Sequence, residues 1–314
     1  GVMRGRERQV ARDRHLVELP RHPHLDRLPS RTAPDAGRVT TSAVTVPLKK
    51  GQTHDVRIDD LAFGGRGVGR VMGFVVLADG AVPGDLARVR MEKVRGNYAE
   101  GRTLAIVEPS PDRVDARCEH FGLCGGCRWQ NLPYPLQLAY KRRQVVEALR
   151  RLGGQPDPPV AEPLPSPDCF YYRNKIEFSF GCDAEGNLTL GLHPAASYLQ
   201  VFDLKACHLQ SDLSNRIVAM VRAGCAEAGL PPYDVREHTG FLRYLTIREG
   251  KLSGEVMVSL VTAHGGAREA VWSQALRAMA ATIAASHPVI RSFLRVVNAT
   301  RSTIHSFKVW FRAA

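Results

Sequence analysis

Short alternating apolar stretches dominate the chain from residue 45 to residue 108. Alternation with a period of two is typical of β-strands, and several short strands at this spacing predict a small closed barrel. The glycine-rich run at residues 64–69 leads into a strand pattern, which favours a hairpin turn over a nucleotide-binding loop. The alternating stretches are residues 56–59, 69–77, 85–91 and 99–107.

A helical periodicity replaces this alternation after residue 135. Apolar residues recur at mixed helical spacing from Leu136 to Leu152, and Gly153 and Gly154 follow directly. Five cations lie between the apolar positions, so the pattern predicts an amphipathic helix with a cationic face. These cations either contact phosphate groups or are simply solvated. They are Lys141, Arg142, Arg143, Arg150 and Arg151.

A proline-rich connector at residues 156–167 predicts a domain boundary. Beyond it, strand patterns are interrupted by two helical patterns, which predicts an α+β domain rather than a repeated βαβ winding. The strand patterns are residues 175–181, 188–192, 199–204, 244–248, 254–262 and 289–298, and the helical patterns are residues 213–228 and 268–285.

The chain is therefore predicted to contain several domains. Residues 1–44 are rich in Arg, Pro and His without lasting periodicity, and we expect a disordered basic extension, with an RNA-gripping tail as the alternative. The predicted units after it are a small closed all-β barrel at residues 45–110, a cysteine segment with the basic helix at 111–160, and the α+β domain at 161–306.

The charge balance favours a polyanionic partner. Lys and Arg number 43 against 31 Asp and Glu, a net charge of +12. Nucleic acid is favoured over a membrane, because no apolar stretch approaches the roughly 20 residues that cross a bilayer. The first residues lack the pattern of an export signal, so a cytoplasmic location is expected. Nothing in the sequence indicates a protein partner.

Cysteine spacing supplies the most specific chemistry. Cys118, Cys124 and Cys127 follow a C-x5-C-x2-C pattern, and the downstream Cys207 could complete a set of four thiolate ligands. Three clustered ligands and one remote ligand are typical of iron–sulfur proteins. Tetrahedral zinc and four unrelated buried thiols remain the alternatives.

The other three cysteines are not expected to be catalytic. Cys182 ends a strand pattern and Cys225 lies on an Ala-rich helix, so both are predicted to be small core residues, and Cys169 is left without a role. His208 follows Cys207 directly and is either a donor to a cluster sulfur or a surface histidine.

Cations and aromatic residues are interleaved along the barrel and the later strands. This mixture suits RNA, because phosphates attract cations and unstacked bases stack on flat side chains. The alternative is a barrel with a polar outside and aromatics in its core. The candidate RNA contacts are Arg66, Arg70, Lys93, Arg95, Lys141, Arg142, Arg173, Lys175 and Arg243.

Taken together, these motifs resemble the RNA uracil-C5-methyltransferase family, in its cluster-containing branch with a TRAM domain. The resemblance covers roughly residues 45–305, and the cysteine run is its most specific part. The residues that carry it are the barrel turn at 60–70, the cysteine run at 118–130, the helix at 137–144, residues 172–175 and residues 207–209.

The resemblance implies a 4Fe-4S cluster held by Cys118, Cys124, Cys127 and Cys207, an OB-like TRAM barrel and a central RNA-facing domain. Members of the family methylate carbon 5 of a uridine in ribosomal or transfer RNA. A cysteine adds to carbon 6, S-adenosylmethionine supplies the methyl group, and a carboxylate removes the carbon 5 proton. The branch favours 23S ribosomal RNA by analogy.

The sequence departs from the family in one respect. The glycine-rich S-adenosylmethionine loop and the Cys-Asn-Pro setting of the nucleophile are not found, and residues 307–314 do not resemble the family. We therefore expect the Rossmann-like methyltransferase domain to be absent and the chain to be truncated and inactive alone, with no catalytic or cofactor-binding residue to assign. Two other functions stay open: a stand-alone iron–sulfur RNA-binding or redox-sensing module, and a zinc-bound structural protein.

Overall fold

The computed structural model describes residues 47–298, except residue 196, and residue 300. The predicted extension at 1–44 and the predicted tail at 307–314 lie outside the described residues. The strands are β1 (Thr53–Leu61), β2 (Gly67–Val71), β3 (Phe74–Asp79), β4 (Leu86–Val94), β5 (Tyr98–Glu108), β6 (Lys175–Cys182), β7 (Leu188–Leu192), β8 (Phe202–Asp203), β9 (Leu242–Glu249), β10 (Val256–Thr262) and β11 (Ile290–Val297), and the helices are α1 (Tyr134–Arg151), α2 (Asp212–Glu227) and α3 (Glu269–Ser286).

Strands β1 to β5 form a closed barrel in the order β1-β2-β3-β5-β4. Alternation turns every second side chain inward, so Val56, Ile58 and Val76 are buried in its core. Gly69 lets β1 and β2 approach closely, because a Cβ there would lie 2.3 Å from the carbonyl oxygen of Arg57. The predicted closed barrel is confirmed.

Helix α1 packs against the outside of this barrel. Its residues Leu136 and Tyr140 form a small core with Leu61 and Val82 of the barrel. The predicted amphipathic helix is confirmed, but its apolar face is narrower than expected, because Leu152 at the end of the pattern is exposed.

Strands β6 to β11 form a six-stranded sheet in the order β11-β10-β9-β6-β7-β8. Helices α2 and α3 contribute Ile217 and Leu276 to one core with Phe178 and Leu245 of the sheet. Such a two-layer arrangement buries the apolar stripes of both helices. None of the helices in the described ranges is long and apolar enough to cross a membrane.

The predicted α+β arrangement needs a correction. Strands β10 and β11 pair in parallel, and α3 connects them, so the sheet is mixed and contains a β10-α3-β11 unit. Parallel neighbours require a crossover of a dozen or more residues, and the 18 residues of α3 supply it. Local periodicity predicted these elements, but it did not show the direction of the pairing between them.

The two faces of β6 differ. Ile176, Phe178 and Phe180 point into the core, whereas Lys175 and Glu177 are exposed on the opposite face. Across the neighbouring strand β9, Lys175 lies opposite Arg248. This second face of the sheet is therefore polar at the end where β6 begins.

Candidate functional site

The four cysteines predicted as ligands line one cavity of about 660 Å³. Cys118, Cys124 and Cys127 come from the segment between β5 and α1, and Cys207 comes from the segment between β8 and α2. Cys207 is buried and the other three are partly buried. All seven cysteines of the chain are free thiols.

A tight local turn holds Cys124, the second of the three clustered cysteines. The carbonyl oxygen of His120 accepts hydrogen bonds from the backbone N–H groups of Leu123 and Cys124, at 3.1 and 2.8 Å. The N–H of Gly126 donates to the Cys124 sulfur at 3.3 Å. Backbone donors of this kind stabilise a thiolate and tune a metal centre bound to it.

Asn215 on α2 positions Cys207. Its side-chain oxygen accepts from the Cys207 N–H at 2.8 Å, and its side-chain nitrogen donates to the Cys207 carbonyl at 3.2 Å. His120 is buried, and its Nε2 accepts from the backbone N–H of Lys205 at 3.1 Å. That bond links the first cysteine segment to the segment that carries Cys207.

The thiols affect one another electrostatically. Burial raises the pKa of the Cys118, Cys124 and Cys207 thiols, and the negative charge of the neighbouring cysteines raises it further. Four thiolates around one cavity therefore need a strong positive charge among them, and a bound metal centre supplies such a charge.

The donor chemistry of these thiols bears on which metal centre fits. Among the described residues, no group of three or more His, Cys, Asp or Glu side chains is close enough together to hold one metal ion. Four cysteine thiolates are the donor set of a 4Fe-4S cluster and equally of tetrahedral zinc, so this donor set fits either centre.

The remaining cysteines differ from one another. Cys225 is fully buried beside the Met279 sulfur, and burial raises its pKa to about 12, so its predicted core position is confirmed. Cys182 is exposed, and the prediction of a core position for it is wrong. It is the last residue of β6, where the strand leaves the core. Cys169 is also exposed.

Three of the predicted RNA contacts form ion pairs within the chain. Arg66 lies 3.3 Å from Asp79 and 3.0 Å from Glu100, and the Glu100 carboxylate is also 3.7 Å from Lys93. Arg142 lies 3.2 Å from the Glu162 carboxylate and also donates to the Val160 carbonyl. Their charge is partly neutralised before any partner binds.

Arg243 is buried and does not face solvent. Only 3% of it is exposed, its guanidinium lies 4.1 Å from the Tyr233 ring centre, and it donates to the carbonyl of Thr300 at 2.9 Å. The other predicted contacts are exposed and have no acidic partner within 4 Å among the described residues. They are Arg70, Arg95, Lys141, Arg173 and Lys175.

Two aromatic side chains are largely exposed: Phe63 belongs to the predicted mixture of cations and aromatics on the barrel, whereas Tyr198 was not assigned a role from sequence. Phe63 is 93% exposed in the turn between β1 and β2, and Gly65 in the same turn packs against the Trp129 ring. Tyr198 is 83% exposed and lines the cysteine cavity. The Phe-Gly-Gly run marks the first turn in the sequence, but no local signal marks Tyr198.

Comparison with known proteins shows which proteins the chain is similar to. Residues 47–104 match the TRAM domain. An uncharacterised RNA methyltransferase of Nitratidesulfovibrio vulgaris is 43% identical over 213 residues, which are 68% of this chain and 45% of the relative. A second one from Nostoc sp. is 37% identical over 216 residues, 69% of this chain and 47% of the relative. The chain thus spans about half the length of the curated relatives that it matches.

The solved tRNA (uracil-54, C5)-methyltransferase of Pyrococcus abyssi, in complex with S-adenosyl-L-homocysteine, has the same fold. The TM-score is 0.56 at 23% identity, and the match covers 83% of this chain and 55% of the solved chain. The chain is thus similar to curated RNA methyltransferases over about half of their length, and it shares the fold of this solved chain. Its TRAM domain and these relatives agree with the family that the motifs of the chain resemble.

This match also corrects the predicted fold class. We expected an α+β domain from which the Rossmann-like methyltransferase domain is absent, but the solved methyltransferase aligns with both the barrel and the mixed sheet. The prediction of an absent methyltransferase domain is therefore wrong. It relied on two missing sequence motifs, and such motifs mark cofactor contacts rather than a fold.

Proposed function

We propose that this chain serves in the methylation of RNA uridine at carbon 5, with S-adenosylmethionine as the methyl donor. The observation that carries the proposal is the convergence of four cysteines on one cavity, beside exposed cations, in a chain with RNA methyltransferase relatives. The proposed substrate is 23S ribosomal RNA, by analogy with the branch that has both a TRAM domain and a cluster. A reducing, cytoplasmic location agrees with the seven free cysteines.

In this proposal Cys118, Cys124, Cys127 and Cys207 hold a 4Fe-4S cluster. The bound cluster supplies positive charge to the four thiolates and cross-links two distant segments of the chain. About 80 residues separate Cys127 from Cys207. Closing a loop of that length restricts the conformations of the unfolded chain, so the cross-link stabilises the folded contact between the two cysteine segments.

The barrel has a separate role in the proposal, as an RNA-binding module. Arg70 and Arg95 are exposed on it without an acidic partner within 4 Å among the described residues. Such cations attract phosphates over the range of a Debye length, and the attraction is weakened by salt. The proposed domain limits are those predicted from sequence, with the barrel ending near residue 110 and the domain that faces the RNA beginning near residue 161.

Analysis of the RNA product tests the activity. The protein is incubated with labelled S-adenosylmethionine and either a 23S ribosomal RNA fragment or transfer RNA, and the nucleosides are then separated. Label in 5-methyluridine from the ribosomal fragment supports the proposal. Label only in transfer RNA contradicts the substrate. RNA binding without methylation, with an affinity that changes when the cluster is oxidised, favours the stand-alone iron–sulfur module.

A further inference from the structure

The cysteine cavity is also lined by cations and by one aromatic side chain. Arg173 and Lys175 precede and begin β6, and both are exposed while lining the cavity. Tyr198, on the segment between β7 and β8, lines the same cavity with most of its surface exposed. A surface that serves only to keep the protein in solution does not require an exposed tyrosine beside two cations.

Two like charges lie directly opposite each other at this point. Lys175 on β6 pairs in register with Arg248 on β9, and both are exposed. Neither has a carboxylate within 4 Å among the described residues, and the neighbouring Glu177 accepts a hydrogen bond from Thr246 at 3.2 Å. Like charges in opposed positions of an antiparallel pair are destabilising. A bound anion would relieve that repulsion.

The chain leading into β6 is held by residues next to two of the cysteines. Arg117, which precedes Cys118, donates to the Tyr171 hydroxyl at 2.7 Å and lies 5.1 Å from the centre of its ring. The same hydroxyl lies 3.5 Å from Nδ1 of His208, which follows Cys207. Tyr171 has a φ of 58°, which is unusual for a residue with a side chain and indicates a constrained backbone.

We propose that the cavity rim, defined as the lining residues Arg173, Lys175 and Tyr198 together with Arg248 on the strand beside Lys175, binds one nucleotide of single-stranded RNA. The three cations bind backbone phosphate, and the Tyr198 ring stacks on a base. RNA fits this rim better than an acidic protein segment, because every nucleotide carries both a phosphate for the cations and a base that can stack on the ring. This site rests on the proposed function and deepens it, since it assigns a contact surface for the RNA.

Charge variants of the full chain test the phosphate contact. A labelled single-stranded RNA of about 12 nucleotides serves as the probe, and affinity is measured over a range of salt concentrations. Lys175→Gln and Arg248→Gln should each weaken binding and reduce the log-log salt slope by about 0.7. Neither variant should lower the melting temperature, because each removes a repulsion between like charges.

Arg216→Gln is the matched control. Arg216 is exposed on α2, in the helical layer across the sheet, and has no acidic partner within 4 Å among the described residues. Its substitution should leave the affinity and the slope unchanged. Equal effects of Lys175→Gln and Arg216→Gln overturn the site. A wild-type chain that does not bind RNA, or that binds polyglutamate instead, contradicts the proposed RNA substrate itself.

The stacking contact is tested at Tyr198. Tyr198→Leu should weaken binding about tenfold, and Tyr198→Phe should bind like the wild type, because stacking needs the ring and not the hydroxyl. Equal affinities of the leucine and phenylalanine variants overturn the stacking role. Because Tyr198 is exposed, both substitutions test the stacking contact without changing the packing of the core.

Tyr171 acts as a positioning residue for the rim. Tyr171→Phe removes the hydroxyl that joins Arg117 and His208 and should weaken RNA binding while the iron content stays unchanged. In a Lys175→Gln background the same substitution should weaken binding by less than it does alone, since both changes act on one contact. Fully additive effects overturn the positioning role.

Discussion

At the scale of single residues, Arg295 shows how one side chain ties helix α3 to the sheet. Its guanidinium is 3% exposed, donates to the Glu269 carboxylate at 2.7 Å and lies 5.0 Å from the Phe241 ring centre. It also donates to the Thr262 hydroxyl at 3.0 Å. A buried guanidinium that loses its carboxylate is left with an uncompensated charge.

Glu269→Gln should therefore destabilise the protein by about 3 kcal/mol at neutral pH. The measurement is chemical unfolding of the variant and the wild type. Glu255→Gln is the control, because the Arg291–Glu255 pair is largely exposed and such pairs contribute little. Equal stabilities of the two variants would contradict this role of Arg295.

The Arg295–Glu269 pair also predicts that the stability of the protein depends on pH. Burial alone would raise the pKa of Glu269, but hydrogen bonds from Arg295, the Gly265 N–H and Ser273 lower it from 4.5 to about 2. A lowered pKa in the folded state stabilises the protein above the unfolded value, and this stabilisation is lost as the pH falls. The difference in unfolding free energy between wild type and Glu269→Gln should narrow between pH 4.5 and about 2. A constant difference over that range would argue against the pair as its source.

Residue roles were predictable from sequence only where the chemistry is local. The spacing of Cys118, Cys124 and Cys127 marked them, and the structure brings them to one cavity. Arg243 gave no such signal, because its buried position depends on stacking against Tyr233 and on the carbonyl of Thr300, which lie in other segments of the chain. A charged residue in a strand pattern looks the same in sequence whether it is exposed or stacked and buried.

At the scale of elements, the barrel depends on close approach of its strands. A Cβ at Gly69 would lie 2.3 Å from the Arg57 carbonyl oxygen and 2.5 Å from a Val56 methyl carbon, so β1 and β2 would have to separate. The pattern of polar and apolar residues in the β1–β2 hairpin does not indicate this close contact. It follows from the register of β1 against β2, which pairs Ile58 with Gly69.

Gly69→Ala should thus lower the stability of the barrel by about 2 kcal/mol, a cost typical of overpacking. Gly96→Ala is the matched control, because a Cβ at Gly96 meets nothing within 4 Å. Thermal unfolding of both variants gives the comparison. If Gly69→Ala melts at the temperature of Gly96→Ala, the strands are not packed as closely as described.

The elements themselves were largely predictable, and their pairing was not. Period-two and helical patterns located the strands and helices beyond residue 170, although the stretch at residues 199–204 forms only the two-residue β8. The parallel pairing of β10 with β11 was missed. Pairing direction is set by how α3 packs across the sheet, and local periodicity does not contain that information.

At the scale of the whole molecule, the cysteine cavity joins the segment before α1 to the mixed sheet. The backbone of Cys124 forms an isolated antiparallel β-bridge with that of Pro194, and the Gly125 N–H donates to the His193 carbonyl at 3.2 Å. Lys205 also lies 3.0 Å from Glu119. A cluster bound by both segments would reinforce contacts that already exist.

Replacement of one ligand should loosen this junction. Cys207→Ser should lose the iron of the purified protein and lower its melting temperature, because the cross-link between the two segments is removed. Cys182→Ser is the control, since Cys182 is exposed and is not among the residues that line the cavity. If the two variants contain equal amounts of iron, Cys207 is not a ligand of the cluster.

The most direct measurement is the metal and sulfide content of the chain purified without oxygen. The account predicts about four irons and four acid-labile sulfides per chain, with the broad visible absorbance of an iron–sulfur cluster. One zinc per chain, with neither iron nor sulfide, would contradict it.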